Sequence, residues 1–348
     1  MKRILTKGKT VTFDKRKIKS ASFRPFSKRF IYFDIDLNEM QYRNGEAYDR
    51  ELKGQSICFS SGQRGAFTSL ATGEVASLDM FLPNACQTLP RYRYTKSGER
   101  VDNITDWAVA QFVAQYSNPP RYGEGDREAV EGALVREQGS RRPAPSVTPN
   151  EELGAPPHRA GEDLRITKDA IFAYCYAVLH DPLYREKYAL NLKREFPRIP
   201  FYPNFAQWVE WGEALLKLHI DYEKVKRAKL TRVDTPAPKR AEGTHPKPKL
   251  KSNAEAGNIV IDEDTQLTGV PLQAWEYRLG NRSAIDWVLD QHKEKTPRDP
   301  TIREKFNTYR FADYKESCIE LLGRVVTVSV ETVTITEAMK KLDRNGWD

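Results

Sequence analysis

The sequence predicts an α+β fold in which a strand-rich N-terminal part is followed by a mainly helical C-terminal part. Up to about residue 116, short runs of aromatic and β-branched residues, such as residues 30–33, alternate with clusters of Gly, Asn and Ser. That pattern is typical of short strands joined by turns. From residue 167 onward, apolar residues recur three or four positions apart, which is typical of amphipathic helices.

Changes in composition predict five segments. Residues 1–116 form the strand-rich part, and residues 117–165 form a proline-rich, flexible insertion with few apolar residues. Residues 166–224 form the helical part. Residues 225–256 form a basic, proline-rich linker, which is too rich in proline for a helix and too polar for a core. Residues 257–348 then complete the domain as a C-terminal α/β segment.

Helix starts are predicted from capping residues that precede apolar periodicity. Thr105 is expected to cap the helix that closes the strand-rich part, and Thr167 the first helix of the helical part. A second helix is expected to run from Leu183 to about Arg194, and Asn204 is expected to cap a third. The apolar run at residues 325–336 fits a strand by its β-branched residues and a helix by its spacing, so both interpretations stay open.

The charge is concentrated in two places, although the whole chain carries only +8 from 56 basic and 48 acidic residues. Residues 1–30 hold eleven Lys and Arg against Asp14, and residues 224–252 hold ten against Asp234 and Glu242. The rest of the chain is therefore acidic. Two basic patches on an acidic background favour a polyanionic partner such as nucleic acid, whereas the plainer explanation is a solvated tail and a solvated linker.

Cysteine and histidine spacing excludes several classes of protein. The four cysteines lie far apart without a CxxC pair, and the five histidines form neither HxH nor HExxH. We therefore expect no metal site, no disulfide framework and a reducing, cytoplasmic location. No stretch approaches the roughly 18 apolar residues that a membrane span requires, so no membrane partner is expected.

Several fragments occur together in an order that carries a family resemblance: RPFSKRFIYFD from residue 24, ICFSSG from 57, LHDPLYREKYALNLKREFPRIPF from 179 and WEYRLGNRSAIDWVLDQ from 275. Together they resemble the C-terminal specificity region of type ISP restriction-modification enzymes. In those single-polypeptide type I enzymes, nuclease, helicase, methyltransferase and target-recognition parts share one chain. CIELLGRVVTVSVETV, from residue 318, is similar to the closing segment of the family.

The resemblance implies sequence-specific recognition of double-stranded DNA, with no catalytic residue and no cofactor in this chain. It covers nearly everything except residues 117–163 and 225–256, and the first of these insertions is longer than the family pattern suggests. The parts for methyl transfer with S-adenosylmethionine, ATP-driven translocation and cleavage are expected upstream of Met1 or on another chain.

Basic residues beside aromatic residues, together with the lysines of the linker, are the candidate DNA contacts. Arg24, Lys28 and Arg29 lie among phenylalanines, and Arg91 and Arg93 lie between tyrosines, so these could contact phosphate or guanine edges. The alternative is exposed charge beside a buried strand. The full set of candidates is Arg24, Lys28, Arg29, Arg64, Arg91, Arg93, Lys239, Arg240, Lys247, Lys249 and Lys251.

Two functions other than DNA recognition are also compatible with the sequence. Residues 118–121 (Asn-Pro-Pro-Arg) resemble the loop with which adenine-N6 methyltransferases hold a flipped base, but Arg121 stands where an aromatic ring is needed. The chain would then be a methyltransferase remnant. A non-catalytic protein-interaction subunit with incidental basic segments is the third interpretation, and it predicts no salt-dependent affinity for DNA.

Overall fold

The structure is a computed structural model that describes residues 10, 12–34, 37–38, 44–60, 65–81, 85–117, 165–235, 241, 243–306 and 308–344. The predicted insertion at residues 117–165 lies outside these ranges except for its first and last residues. The α+β prediction is confirmed, because strands dominate the N-terminal part and a long helix closes the chain.

A five-stranded sheet in the order β2-β1-β4-β3-β5 forms the N-terminal part. Only β1 and β4 pair in parallel; the other neighbours are antiparallel. The strands are β1 (Ile18–Arg24), β2 (Ser27–Tyr32), β3 (Lys53–Ser60), β4 (Thr68–Ala76) and β5 (Gln87–Pro90), with α1 (Asn44–Ala47) before β3 and the hairpin β6 (Tyr92–Tyr94) and β7 (Arg100–Asp102) after β5.

Both faces of this sheet are buried where β3 and β4 pair. Ile57 and Ala71 point into a helical core, which holds Tyr174 and Trp208. Their neighbours in the sequence contribute to a separate C-terminal core, so alternate side chains of one strand serve the two cores. A strand that is covered on both faces reads as a continuous apolar run, as ICF does in β3.

Four helices follow the sheet: α2 (Asp106–Ser117), α3 (Lys168–Val178), α4 (Pro182–Lys187) and α5 (Phe205–Ile220). The predicted caps are confirmed at Thr105, whose Oγ1 accepts the N–H of Ala108 at 3.2 Å, and at Thr167, which caps α3. The predicted third helix does begin directly after Asn204, but this residue has a left-handed backbone, with φ of 60°, and its side chain makes no capping bond.

The predicted second helix is shorter than expected. Asp181 caps α4 by accepting the N–H groups of Leu183 and Tyr184, but the helix ends at Lys187 rather than near Arg194. Apolar residues still recur at helical spacing beyond Lys187, because Leu192 lies in a separate 3₁₀ turn and is buried there. A 3₁₀ turn places side chains three residues apart, so it mimics the spacing of a helix.

The C-terminal part contains a second sheet, of four antiparallel strands in the order β8-β11-β10-β9. Its elements are β8 (Thr231–Asp234), β9 (Pro248–Asn253), β10 (Asn258–Asp262), β11 (Thr265–Thr268), β12 (Arg278–Leu279), β13 (Arg282–Ser283), α6 (Ala284–Gln291), α7 (Pro300–Phe306) and α8 (Lys315–Lys341). The C-terminal core lies between this sheet, α6 and α8.

Residues 225–256 differ from the expected linker, because β8 and β9 both fall inside this range. β8 pairs with β11 and β9 with β10, so the backbone groups of a polar segment are satisfied by strands from later in the sequence. Pro248 is the first residue of an edge strand, which is where a sheet tolerates proline. The division of the chain into five segments as a whole stays a prediction.

The ambiguous C-terminal run is a helix. Leu322, Val326, Ser329 and Val333 are all buried, as their shared helical face predicts. The helix α8 reaches from the C-terminal core to Met339 in the helical core. Tertiary burial on both sides therefore outweighs the preference of its β-branched residues for strands.

Candidate nucleic-acid interface

The tip of the β1–β2 hairpin is fixed by a buried aromatic ring. Phe26 is 2% exposed and packs edge-on against Tyr222, with ring centroids 5.2 Å apart. Its φ of 55° is uncommon for a residue with a side chain and is held by this packing. The hairpin therefore presents its basic residues from a rigid backbone.

Arg24 ends β1 and is only partly accessible. Its guanidinium carbon lies 4.7 Å from the centroid of the Phe23 ring. Burial lowers the pKa of Arg24, while the carboxylates of Asp79 and Asp290 act in the opposite direction. Its Nη1 is buried and has no hydrogen-bond partner among the described residues. Arg24 thus keeps a donor to offer, although not from an open surface.

Lys28 is already engaged within the protein. Its Nζ lies 2.6 Å from Oε2 of Glu223 and 3.7 Å from Oε1 of Glu74, and it sits 5.5 Å from the Tyr222 ring centroid. These contacts tie β2 to the turn that follows α5. Lys28 would have to leave two carboxylates to bind a phosphate.

Arg29 differs from Lys28 because it is exposed. It is exposed on β2, the edge strand of the five-stranded sheet, where it pairs with Ala21 of β1. Its neighbour Phe30 is 81% exposed and, as the next residue of the strand, points to the opposite face of the sheet. Burial, and to a smaller extent the charge of Arg29, lower the pKa of His292, which places Arg29 near the end of α6.

Arg91 and Arg93 differ in solvent exposure although they are only two positions apart. Arg91 is 3% exposed, with Nε 2.5 Å from Oδ1 of Asp169 and Nη1 2.6 Å from Oδ1 of Asp102. It therefore ties the β6–β7 hairpin to α3 and is not part of the proposed interface. Arg93 is exposed on β6 opposite Val101, so it is accessible to a ligand.

The lysines of the basic segment lie on or beside the edge strand β9. Lys247, Lys249 and Lys251 are all exposed, and Lys251 pairs with Val260 of β10. Leu250 between them is buried in the C-terminal core. Because this core anchors the strand, the three lysines project from ordered backbone. Arg64, Lys239 and Arg240 lie outside the described residues.

Helix α6 adjoins both basic edges. The Ser252 hydroxyl of β9 donates to Oδ1 of Asp286 at 2.6 Å, and Arg29 of the hairpin lies near His292, just past the end of the same helix. Sequence reasoning missed two cations that flank α6, Arg282 before it and Lys293 after it. Arg282 and Lys293 both lie close to Asp290, at 3.0 and 3.3 Å. No local charge pattern indicates them, because residues 276–295 hold four basic and four acidic residues.

Acidic residues near the end of β2 and the methyltransferase-like loop are the other positions where chemistry could occur. Asp34 forms an ion pair with Lys17, and the nearby Asp36 lies outside the described residues. The part of the chain that the structure describes contains no group of three or more His, Cys, Asp or Glu that could hold a metal ion. Residues 118–121, the methyltransferase-like loop, also lie outside it. Within the described ranges, no helix combines the length and apolar character that crossing a bilayer demands.

Solved structures similar to this chain include complexes with DNA. The chain is 40% identical to the protein of the structure described as a cryo-electron microscopy DrdV–DNA complex, with a TM-score of 0.78 over 96% of this chain and 29% of that one. A nuclease-deletion mutant of the type ISP restriction-modification enzyme LlaGI, in complex with a DNA substrate mimic, is 24% identical, with a TM-score of 0.66 over 98% of this chain and 26% of that one.

A third similar structure is that of the ATP-dependent type ISP restriction-modification enzyme LlaBIII bound to DNA. It is 17% identical, with a TM-score of 0.68 over 99% of this chain and 20% of that one. The last two likenesses establish the fold alone. This chain spans between a fifth and a third of the length of these relatives. No protein with a curated description matches it.

The family is settled by the sequence model rather than by these structures. The model of the type ISP C-terminal specificity domain matches residues 1–321, which is most of the chain. The resemblance seen in the sequence is therefore confirmed, and the chain belongs to the type ISP C-terminal specificity domain family.

Proposed function

We propose that this chain recognises a DNA target sequence for a type ISP restriction-modification enzyme. The observation that carries the proposal is membership of the specificity-domain family. The DNA in the structure of the 40% identical relative supports it. The two exposed basic edges beside α6 agree with a duplex as the partner, since phosphates attract cations and base edges require rigidly held donors.

Within this proposal, the β2 edge and the β9 edge have different tasks. Arg29 projects from a hairpin whose tip is locked by Phe26, so its guanidinium can be aimed at a base edge. Lys249 and Lys251 carry point charges on long, rotatable stems, which suit phosphates. Arg93 is a further exposed cation, on a two-stranded hairpin of its own.

A selection from duplexes with a randomised centre tests the proposed recognition. The purified chain is expected to enrich one short sequence over several rounds, and its affinity for that duplex should fall linearly on a plot of log affinity against log salt concentration. Equal recovery of all sequences, or an affinity that does not depend on salt, would contradict a recognition function. A single strand of the enriched sequence serves as control and should bind more weakly.

We further propose that the chain catalyses no reaction itself and acts in the cytoplasm. Its cysteines Cys58, Cys86, Cys175 and Cys318 are free thiols, as a reducing compartment favours. Calorimetry with S-adenosylmethionine and with ATP tests the first statement. A stoichiometric heat with S-adenosylmethionine would instead favour the methyltransferase remnant.

A further inference from the structure

A cleft of about 820 Å³ opens between the helical core and the C-terminal core. Its walls are the residues directly before β4, the segment from the end of α3 to Lys193, the residues around β12 and the last turns of α8. Among the described residues, none of the predicted DNA contacts lines this cleft. The volume falls in the range of about 300 to 1,000 Å³ that small-molecule sites occupy.

The cleft carries a net positive charge. Arg185, Lys193, Arg278 and Lys340 line it, opposed by Glu276 and Glu337. Lys340 is neutralised, since its Nζ lies 2.5 Å from Oε1 of Glu337. In contrast, the other three cations form no ion pair within the described part of the chain. Three cations face one remaining carboxylate, which favours an anionic ligand.

Arg185 is positioned by the protein but keeps its charge unmatched. Its Nε donates to the carbonyl of Leu179 at 2.6 Å, and its Nη2 donates to the Ser69 hydroxyl at 3.0 Å. The Phe67 ring centroid lies 5.7 Å from the guanidinium carbon. Two neutral acceptors and a ring hold the guanidinium plane in place without cancelling its charge, so it is preorganised for an anion.

Tyr277 adds a hydrogen-bond donor to the same cleft. The residue is 5% exposed, lines the cleft, and has a hydroxyl that is buried with no partner in the described ranges. Burial raises the pKa of Tyr277, and the nearby charge of Arg185 lowers it. A buried hydroxyl without a partner costs free energy, which a bound acceptor would recover.

We propose that this cleft binds a nucleotide phosphate group, with Arg185 and Tyr277 at its floor and Lys193 and Arg278 at its rim. The inference rests on the proposed function, because we take the phosphate to be a phosphodiester of the bound DNA. A free nucleotide is the other source of the same group, and the experiment separates the two. The cleft then supplies backbone contacts that fix the position of the duplex while the exposed edges read it.

The test combines a rim variant with a control of equal charge. Lys193→Gln with Arg278→Gln removes two exposed cations from the rim, and Lys96→Gln with Lys305→Gln removes two exposed cations elsewhere. Each full-length chain is titrated with the selected duplex at several salt concentrations and, separately, with adenosine monophosphate. The rim variant should flatten the salt dependence by about 0.9 for each phosphate that it no longer neutralises, and the control should match the wild type.

Tyr277→Phe provides a second, uncharged probe of the cleft. It removes a hydroxyl that has no partner among the described residues, so the chain should fold normally while its affinity for the duplex falls several-fold. The combined result distinguishes the two ideas. If the wild type binds the duplex and all three variants bind equally well, the cleft site is wrong and the recognition function stands.

The remaining outcomes are also decisive. If the wild type fails to bind any duplex but binds adenosine monophosphate in a way that the rim variant abolishes, the phosphate site stands and the recognition function is wrong. If neither the duplex nor the nucleotide binds, both proposals are wrong.

Discussion

The hydroxyl of Tyr176 lies 2.5 Å from Nδ1 of His219, at the point where the sheet, α3, α5 and α8 meet. The same hydroxyl accepts the N–H of Ala71 in β4 at 2.7 Å, so its proton is donated to Nδ1. The ring proton of a neutral His219 is then on Nε2, which lies 2.9 Å from Oγ1 of Thr332 in α8. One chain of bonds thus joins four elements, with every member satisfied.

Tyr176→Phe should destabilise the protein far more than Tyr277→Phe. Both tyrosines are buried, but among the described residues only the hydroxyl of Tyr176 has partners, and its loss leaves the Ala71 N–H and the His219 ring nitrogen unsatisfied. We expect the free energy of unfolding to fall by about 2 to 4 kcal/mol for Tyr176→Phe and to change by less than about 0.5 kcal/mol for Tyr277→Phe. Urea unfolding of both variants measures this, and equal losses would refute the bonding pattern.

Stability should decline as the pH falls below about 6.5. Burial lowers the pKa of His219 to about 3 and also holds the pKa of His180 well below its usual value. Between the folded and unfolded pKa values, the unfolded state binds more protons, so the free energy of unfolding decreases with decreasing pH. Each such histidine contributes a slope of about 1.4 kcal/mol per pH unit. Above pH 7 both are neutral in both states and add no slope.

A His219→Gln variant provides the check on that slope. Its unfolding free energy, measured by urea from pH 4.5 to 7.5, should vary less with pH than that of the wild type, by about 1.4 kcal/mol per unit. Parallel curves for the two proteins would mean that the pKa of His219 is the same in the folded and unfolded states.

Two helix glycines should respond in opposite directions to replacement by alanine. A Cβ on Gly212 in α5 would lie 1.9 Å from the carbonyl oxygen of Ala173, so α3 and α5 could no longer pack as closely. Gly212→Ala should therefore cost about 3 kcal/mol or more. A Cβ on Gly323 in α8 would make only an ordinary contact of 3.4 Å with Arg227, so Gly323→Ala should gain about 0.5 to 1 kcal/mol. Thermal unfolding decides, and a stabilised Gly212→Ala would refute the close approach.

Features that depend on residues close together in the sequence, such as two helix caps, were predicted correctly. The caps at Thr105 and Thr167 follow from local spacing alone, and both are confirmed. What the sequence could not reveal were pairings between distant residues. The strands β8 and β9 exist because β11 and β10 pair with them, and nothing inside a basic, proline-rich segment indicates that.

The same limit applies to the candidate contacts. Lys28 looks like a free cation beside aromatic residues until Glu223, 195 positions later, is placed next to it. Arg29 has the same sequence surroundings, but it is exposed. Alternation along a strand shows which side chains share a face of the sheet. It does not show which distant segment of the chain packs against that face.

Arg91→Gln and Arg93→Gln should separate a structural from a surface role. Arg91 is buried and forms ion pairs with Asp102 and Asp169, whose carboxylates are partly exposed. Solvent screening therefore reduces the cost of breaking these pairs to about 1 to 3 kcal/mol. Arg93 is exposed, so its loss should change the free energy of unfolding by less than about 0.5 kcal/mol. Thermal unfolding of the pair tests this. Equal stability of the two variants would show that Arg91 does not hold the hairpin.

The two basic edges should differ in what they contribute to DNA binding. Arg29 projects from a strand that is paired along its length with β1, so Arg29→Gln should cost about 1 to 3 kcal/mol on the selected duplex and far less on a scrambled one. Lys249→Gln with Lys251→Gln should weaken both duplexes equally, because flexible ammonium groups contact phosphates, and should flatten the salt dependence by about 0.9 for each phosphate that is no longer neutralised. Both variants should unfold at the wild-type temperature, since neither site is buried.

Titration of each variant on both duplexes at several salt concentrations separates the effects. If the lysine variant loses discrimination between the duplexes while Arg29→Gln retains it, the tasks of the two edges are the reverse of those proposed.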